Sequence, residues 1–340
     1  MYLEQYGLTD FPFQLTPDQR FFFESTVHRK AMAHLLFGLN QGEGFIIITG
    51  EVGAGKTTLL CRLLETLNSE TYVTGRIVSS HLAGDDMLRS VASAFDIAFQ
   101  GLDKASLLRR IEDFLVSNHQ MGKRTLLLLD EAQNVTPQAL EELRMLSNFQ
   151  VGSRVPLQSV MLAQPQFRRM LADRDLEQFR QRIVAAFHLG AMRADETREY
   201  IRHRLSVVGW SGRPQISEEG FADIFTHTNG VPRKINTFCS RLMLFCFLDD
   251  VQVIDREVVA AVAEDMAGEF NAVLDSSDGP SGSTGIMHQS GALPQGGNGI
   301  NQSVEARLDQ LERMVDRHNR ALHHLSMLGD SLRQNSKLFD

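Results

Sequence analysis

Gly50-Glu51-Val52-Gly53-Ala54-Gly55-Lys56-Thr57-Thr58 joins a glycine-rich turn to a lysine and two hydroxyls, a set of residue types suited to gripping a chain of phosphates. Glycines let successive backbone N–H groups curl around phosphate oxygens, Lys56 has the reach for the β- and γ-phosphates, and the Thr57 hydroxyl is a hard ligand for Mg²⁺. Further along stand two adjacent carboxylates, Asp130-Glu131. In this pairing Asp130 would hold the water shell of Mg²⁺, and Glu131 would orient and polarise an attacking water. The chemistry implied is transfer of a terminal phosphoryl group from a Mg²⁺-bound nucleoside triphosphate to water.

Both motifs need elements that aim them. Phe45-Ile46-Ile47-Ile48 directly precedes the glycine turn, and Leu126-Leu127-Leu128-Leu129 directly precedes Asp130, so each motif sits at the end of a buried strand. A helix opening at Lys56 adds the positive end of its dipole to the phosphate site. Further strand candidates at 75–79, 157–163 and 183–189 join those at 45–49 and 125–129, with helical patterns between them. That alternation predicts an α/β fold with a parallel sheet of about five strands flanked by helices. Thr136-Pro137 reads as an N-cap and first helical residue, followed by Leu140, Leu143 and Leu146 at helical spacing.

From 191 to 268 the strand signals stop and helical patterns take over at 194–208, 217–228, 232–247 and 255–267, with Ser217 and Asp255 as N-caps. The expectation is a nucleotide-binding α/β domain over 1–190 and a small all-helical lid domain over 191–268. Residues 269–303 turn to Ser, Gly, Asp and Asn and read as a flexible, disordered linker. Over 304–332, Val304, Leu308, Leu311, Val315, His318, Leu322, Leu325 and Leu332 follow coiled-coil spacing with breaks at His318 and Gly329. This predicts an amphipathic helix for oligomerisation or partner docking, or one that folds back on its own domain.

The bulk properties bound the function. The chain has 340 residues, 43% of them hydrophobic and 22% charged, enough for two domains with a sizeable core. A net charge of −8 gives no overall basic field to attract nucleic acid or anionic lipid. Cys61, Cys239 and Cys246 form no C-x-x-C pair and read as small apolar helix residues, suited to a reducing cytoplasm. The eleven histidines include no H-E-x-x-H, so no metal beyond the nucleotide's Mg²⁺ is indicated. The N-terminus lacks the pattern of a signal peptide, and no apolar run is long enough for a transmembrane segment. Phe21-Phe22-Phe23 reads as packing rather than an adenine shelf, while His28 is open between a place near the base and a packing contact.

Specific strings carry a resemblance. Tyr6-Gly7-Leu8 with Phe11-Pro12-Phe13, then Arg20-Phe21-Phe22-Phe23, the glycine turn, Asp130-Glu131-Ala132-Gln133-Asn134, Glu142 to Phe149, Gln164-Pro165-Gln166-Phe167, Gln181-Arg182-Ile183 and Gly230 to Asn236 make residues 1–268 similar to the AAA+ ATPases of the ExeA (general secretion pathway protein A) type. Within that type the sequence most resembles the branch associated with exosortase/PEP-CTERM and exopolysaccharide loci. The resemblance implies ATP and Mg²⁺ as ligands, a homo-oligomer with its site shared across a subunit boundary, and envelope export or polysaccharide proteins as partners. It places Gln164 at the sensor 1 position and Arg233 at the sensor 2 position. Arg180 or Arg182 takes the arginine finger reaching into a neighbour's site, with Arg174 as the alternative. It also implies a cytoplasmic protein, with a peripheral seat at the inner membrane through a partner.

Longer members of that type continue into a membrane span and a peptidoglycan-binding module. Here a Gly/Ser linker and a heptad helix follow instead, so neither property transfers. Two other readings stay open. One is a DNA-associated AAA+ ATPase regulating transposition or DNA loading, resting on the basic cluster Arg168, Arg169, Arg174, Arg180 and Arg182. The other is a nucleotide-switch scaffold with slow turnover.

Overall fold

Apolar runs without polar alternation belong to strands covered on both faces, and the central strands have that character. In the computed structural model, which describes residues 2–16, 18–78 and 83–275, β1 (Phe45–Gly50) and β4 (Leu157–Ala163) are buried along their whole length, as is β3 (Arg124–Asp130) after its first residue. β2 (Tyr72–Val78) and β5 (Ile183–Leu189) carry exposed positions, as edge strands do. The five strands form one parallel sheet in the order β2-β3-β4-β1-β5. All five strand expectations are met, with β2 starting earlier than residue 75.

Alternate residues along each strand face opposite sides, so the sheet divides its apolar content into two layers. Phe45, Ile47, Leu127, Leu129 and Met161 face α4 (Gly84–Ala94), α5 (Lys104–Gln120) and α6 (Pro137–Leu146). Ile46, Ile48, Leu126, Leu128, Val160 and Leu162 share the opposite layer with α2 (Thr26–Gln41) and α3 (Lys56–Thr66). Side-chain caps fix where the helices begin. Thr136 accepts from the Ala139 amide at the start of α6, ahead of Pro137, as the sequence predicts. Short segments α7 (Gln166–Leu171) and α8 (Glu177–Arg180) lead from β4 to β5.

Beyond β5 come α9 (Ala194–Val207), α10 (Glu218–Thr228), α11 (Pro232–Leu248) and α12 (Arg256–Asp275). Ser217 and Asp255 cap as expected, accepting from Gly220 at 2.9 Å and Val258 at 3.1 Å. The lid is not wholly helical: Gln215–Ile216 (β6) and Val253–Ile254 (β7) pair in parallel, a ladder too short to leave a periodic signal. A third apolar cluster fills the lid, and it takes in residues from the other end of the chain. Tyr2 and Tyr6 of α1 (Tyr2–Tyr6), Leu8, Phe13 and Phe21 lie buried with Tyr200, Leu205, Ile235 and Leu242. The N-terminal segment, expected in the nucleotide-binding domain, therefore packs with the lid, because its aromatic side chains find their apolar partners there.

Core and lid both lie in one compact unit, Met1–Met266; the second unit, Ala267–Asp340, is described only to Asp275. α12 continues to Asp275, so the stretch expected to open the linker at 269 is helical. The rest of that linker and the helix expected at 304–332 lie outside the described residues. No described helix is long and apolar enough to cross a membrane. Cys239 and Cys246 are buried on α11, where desolvation pushes the Cys246 thiol up to about 12 and Cys239 higher still, so both stay protonated.

Candidate active site

β1 ends at Gly50, the loop 51–55 turns over its carboxyl end, and α3 begins at Lys56 with its free amides facing the turn. Two glycines are needed by geometry. Gly53 has φ +80°, and a methyl there would lie 2.2 Å from Arg233 Cβ; Gly55 has φ +95°, and a methyl would lie 2.6 Å from His28 Nε2. Lys56 is only 7% exposed, and its ammonium donates to Gly50 O at 2.7 Å and Glu51 O at 3.0 Å. Burial pulls its pKa down, while the Glu131, Asp130 and Glu51 carboxylates oppose that shift.

Asp130 closes β3 in a buried position. Its Oδ2 accepts from Thr57 Oγ1 at 3.4 Å and from Arg76 Nη2 at 3.0 Å, while Oδ1 accepts from the Glu131 amide at 3.0 Å. Glu131 has φ +56° and ψ +40°, a left-handed conformation that a glutamate adopts only when its surroundings hold it. Its Oε2 accepts from Gln164 Nε2 at 3.2 Å and from Gln133 Nε2, and Gln133 Oε1 in turn accepts from the Gln164 amide at 2.9 Å. Gln164 follows β4, which lies between β3 and β1, so sheet order brings it between the two motifs. Thr57 and Asp130 offer a hydroxyl and a carboxylate, hard oxygen donors converging on one point, and that donor set fits Mg²⁺.

Arg233 starts α11 and its amide donates to Gly53 O at 3.2 Å, so the lid touches the glycine turn directly. A cavity of about 310 Å³ opens between turn and lid, lined among others by Lys56, Thr57, Thr58, Glu131 and Arg233. Arg180 and Arg182 are not there. Arg182 precedes β5, whose Ile183 pairs with Phe45 at the start of β1, roughly 20 Å from the turn by strand rise. Its guanidinium holds Asn148 Oδ1 and Ser147 O after α6, and Arg180 holds Leu171 O and Asp173 O. Arg168, Arg169 and Arg174 are exposed.

Three groups of residues at or beside this site carry no motif. Arg76, on edge strand β2, supplies the counter-charge of Asp130. His28 lies buried against Gly55, its Nδ1 2.7 Å from Ser25 Oγ, with a hydrogen bond to the Ala54 backbone; burial lowers its pKa. Gln14, Leu15 and Thr16 face lid residues Tyr200, Arg204 and Asn236. Phe21 is buried in the lid cluster as packing, and Phe21, Phe22 and Phe23 all line the cavity as well. Among these lid residues, Pro232, Arg233 and Asn236 carry a sequence signal through the Gly230 to Asn236 string, whereas Tyr200 and Arg204 carry none.

The AAA domain family matches residues 39–171. General secretion pathway protein A of Aeromonas hydrophila is 34% identical over 272 residues, which cover 79% of this chain and 49% of that protein. The chain thus spans about half the length of the curated relative it matches. Among solved structures, Cdc6p from Pyrobaculum aerophilum aligns with TM-score 0.60 at 17% identity, over 76% of this chain and 71% of that one. The Aeropyrum pernix ORC2 protein, solved as ADPNP–ADP complexes, aligns with TM-score 0.53 at 16% identity, over 73% of this chain and 71% of that one. At such identities these two establish the fold, a parallel P-loop NTPase sheet flanked by helices. The chain thus carries an AAA domain on a P-loop NTPase fold and, over most of its own length, is similar to general secretion pathway protein A.

Proposed function

We propose that the chain is a Mg²⁺-dependent ATPase supporting an envelope secretion or exopolysaccharide export system. One observation carries the enzymatic reading: Lys56, Thr57 and Glu131 line one cavity between turn and lid at the carboxyl edge of the sheet, and Asp130 stands beside it, 3.4 Å from the Thr57 hydroxyl. Amides of the glycine turn and α3 receive the phosphates, and Lys56 exchanges the Gly50 and Glu51 carbonyls for phosphate oxygens. Thr57 and Asp130 hold Mg²⁺, which when bound neutralises charge on the phosphates. Glu131 orients the water and takes up its proton as the water attacks; Gln164 and Gln133 determine where Oε2 points while it does so. Arg233 reports the phosphates to the lid, and a neighbour's arginine completes the site in a homo-oligomer.

Glu131→Gln tests this directly, since it should bind MgATP and release phosphate at least a hundredfold more slowly. Unchanged turnover removes Glu131 from its role. The export role rests on the likeness to general secretion pathway protein A and implies work at the inner membrane through a partner. Purifying the ATP-loaded Glu131→Gln protein from its host should bring envelope-export or polysaccharide-assembly proteins with it. Exposed Arg168, Arg169 and Arg174 favour a second reading, a DNA-associated ATPase. Recovery of DNA with a transposase or replication factor would replace the first reading by this one.

A further inference from the structure

Arg204 is a charge enclosed by neutral groups. It is 5% exposed on α9, and its hydrogen-bond acceptors are Pro12 O, Gln14 O at 3.3 Å and Tyr200 Oη at 2.8 Å. Its guanidinium carbon lies 4.6 Å from the centre of the Phe21 ring and 5.7 Å from that of Tyr200. Burying a guanidinium is costly unless its donors are met, and a buried arginine ordinarily has a carboxylate for company. Here two backbone carbonyls of one segment fill that place. In that segment, described residues 7–16 form neither helix nor strand.

The arrangement continues on both sides of Arg204. Tyr200, kept protonated because burial raises its pKa, donates to Asn236 Oδ1 at 2.8 Å. Asn236 lies one turn beyond Arg233 on α11, the helix that touches Gly53. On the other side, Gln14, Leu15 and Thr16 line the same cavity as the phosphate turn, and Leu15 leaves 56% of its surface exposed. A polar chain thus runs from Asn236 on the lid helix through Tyr200 and Arg204 to the backbone of Pro12 and Gln14, beside the cavity that Asn236, Tyr200, Arg204 and Gln14 line.

We propose that Arg204 is a positioning residue for the nucleoside: by holding the carbonyls of Pro12 and Gln14 it fixes residues 12–16 as the wall against which base and ribose bind. This rests on the nucleotide reading above and adds to it that affinity for the nucleoside, and not for the phosphate chain, passes through Arg204. A merely structural arginine would lower both affinities together.

The test compares MgATP with magnesium tripolyphosphate, titrated calorimetrically into the full chain and into Arg204→Gln and Arg204→Lys. Arg204→Gln should weaken ATP at least tenfold and leave tripolyphosphate within twofold, and Arg204→Lys, which keeps charge but loses the fork, should recover part of the loss. Equal losses for both ligands, or none for either, would overturn the proposal. Should Arg204→Gln fail to fold, amide hydrogen exchange on the unaltered chain decides: ATP should slow exchange at residues 13–16 and tripolyphosphate should not. Equal protection by the two, or by neither, overturns it. If the unaltered chain binds neither ligand, the nucleotide reading itself falls.

Discussion

Replacing Gly53 by alanine strikes the point where glycine turn and lid meet, and its effect can be worked from the geometry. At φ +80° an L-residue costs about 1–2 kcal/mol relative to glycine. The new methyl would also lie 2.2 Å from Arg233 Cβ and 3.0 Å from its Cδ, whereas carbon atoms rest about 3.5–4.0 Å apart, so turn and α11 must separate. Separation breaks the bond from the Arg233 amide to Gly53 O, worth about 1 kcal/mol. The sum is roughly 2–3 kcal/mol of unfolding free energy, read by urea titration without nucleotide, with a fall in ATP affinity of at least tenfold. Val52→Ala, next to it but 53% exposed, should stay within about 0.5 kcal/mol. Gly53→Ala behaving like Val52→Ala in both assays would refute this account of the joint.

Burial holds the folded-state pKa of His28 below its usual value of 6.5, so the unfolded chain takes up this proton first as pH falls. The stability tied to neutral His28 is complete above pH 6.5 and is lost as pH drops through the lowered pKa, at up to about 1.4 kcal/mol per pH unit. His28→Gln should flatten urea-derived stability against pH below 6.5; parallel profiles for the two proteins would show that this proton plays no part. For the shared site, mixing Lys56→Ala with Arg182→Ala should restore part of the ATPase activity that each lacks alone. No recovery at any ratio would deny Arg182 the finger role, and the same experiment with Arg174→Ala then decides for that residue. Thr136→Ala should lower stability by about 1 kcal/mol through the lost cap of α6, measured by urea titration; no change would mean that the Ala139 amide finds water instead.

What could be read from the sequence was local. Ile46 to Ile48 and Leu126 to Leu129 announced central strands because a strand covered on both faces carries apolar residues at every position. The glycine turn and Asp130-Glu131 could be seen because their chemistry needs fixed residue types at fixed spacing. What stayed hidden depends on contacts between distant positions. Arg204 meets Pro12 across 192 residues, and Arg76 meets Asp130 across the β2-β3 ladder. Neither leaves a periodic trace. The left-handed backbone of Glu131 is imposed by tertiary surroundings, as glutamate has no preference for it. Phe21 to Phe23 were legible as packing residues, but only the assembled lid shows which cluster receives Phe21, and Tyr2, Tyr6 and Phe13 with it.

The central claim is that this cavity binds MgATP and that Glu131 drives its hydrolysis. The most direct measurement is parallel ATP binding and phosphate release for the unaltered chain and Glu131→Gln, with Lys56→Ala as the reference for a broken phosphate site. The account predicts binding in the first two, turnover in the unaltered chain alone, and neither in Lys56→Ala. Equal phosphate release from the unaltered chain and Glu131→Gln, or tight ATP binding by Lys56→Ala, would contradict it.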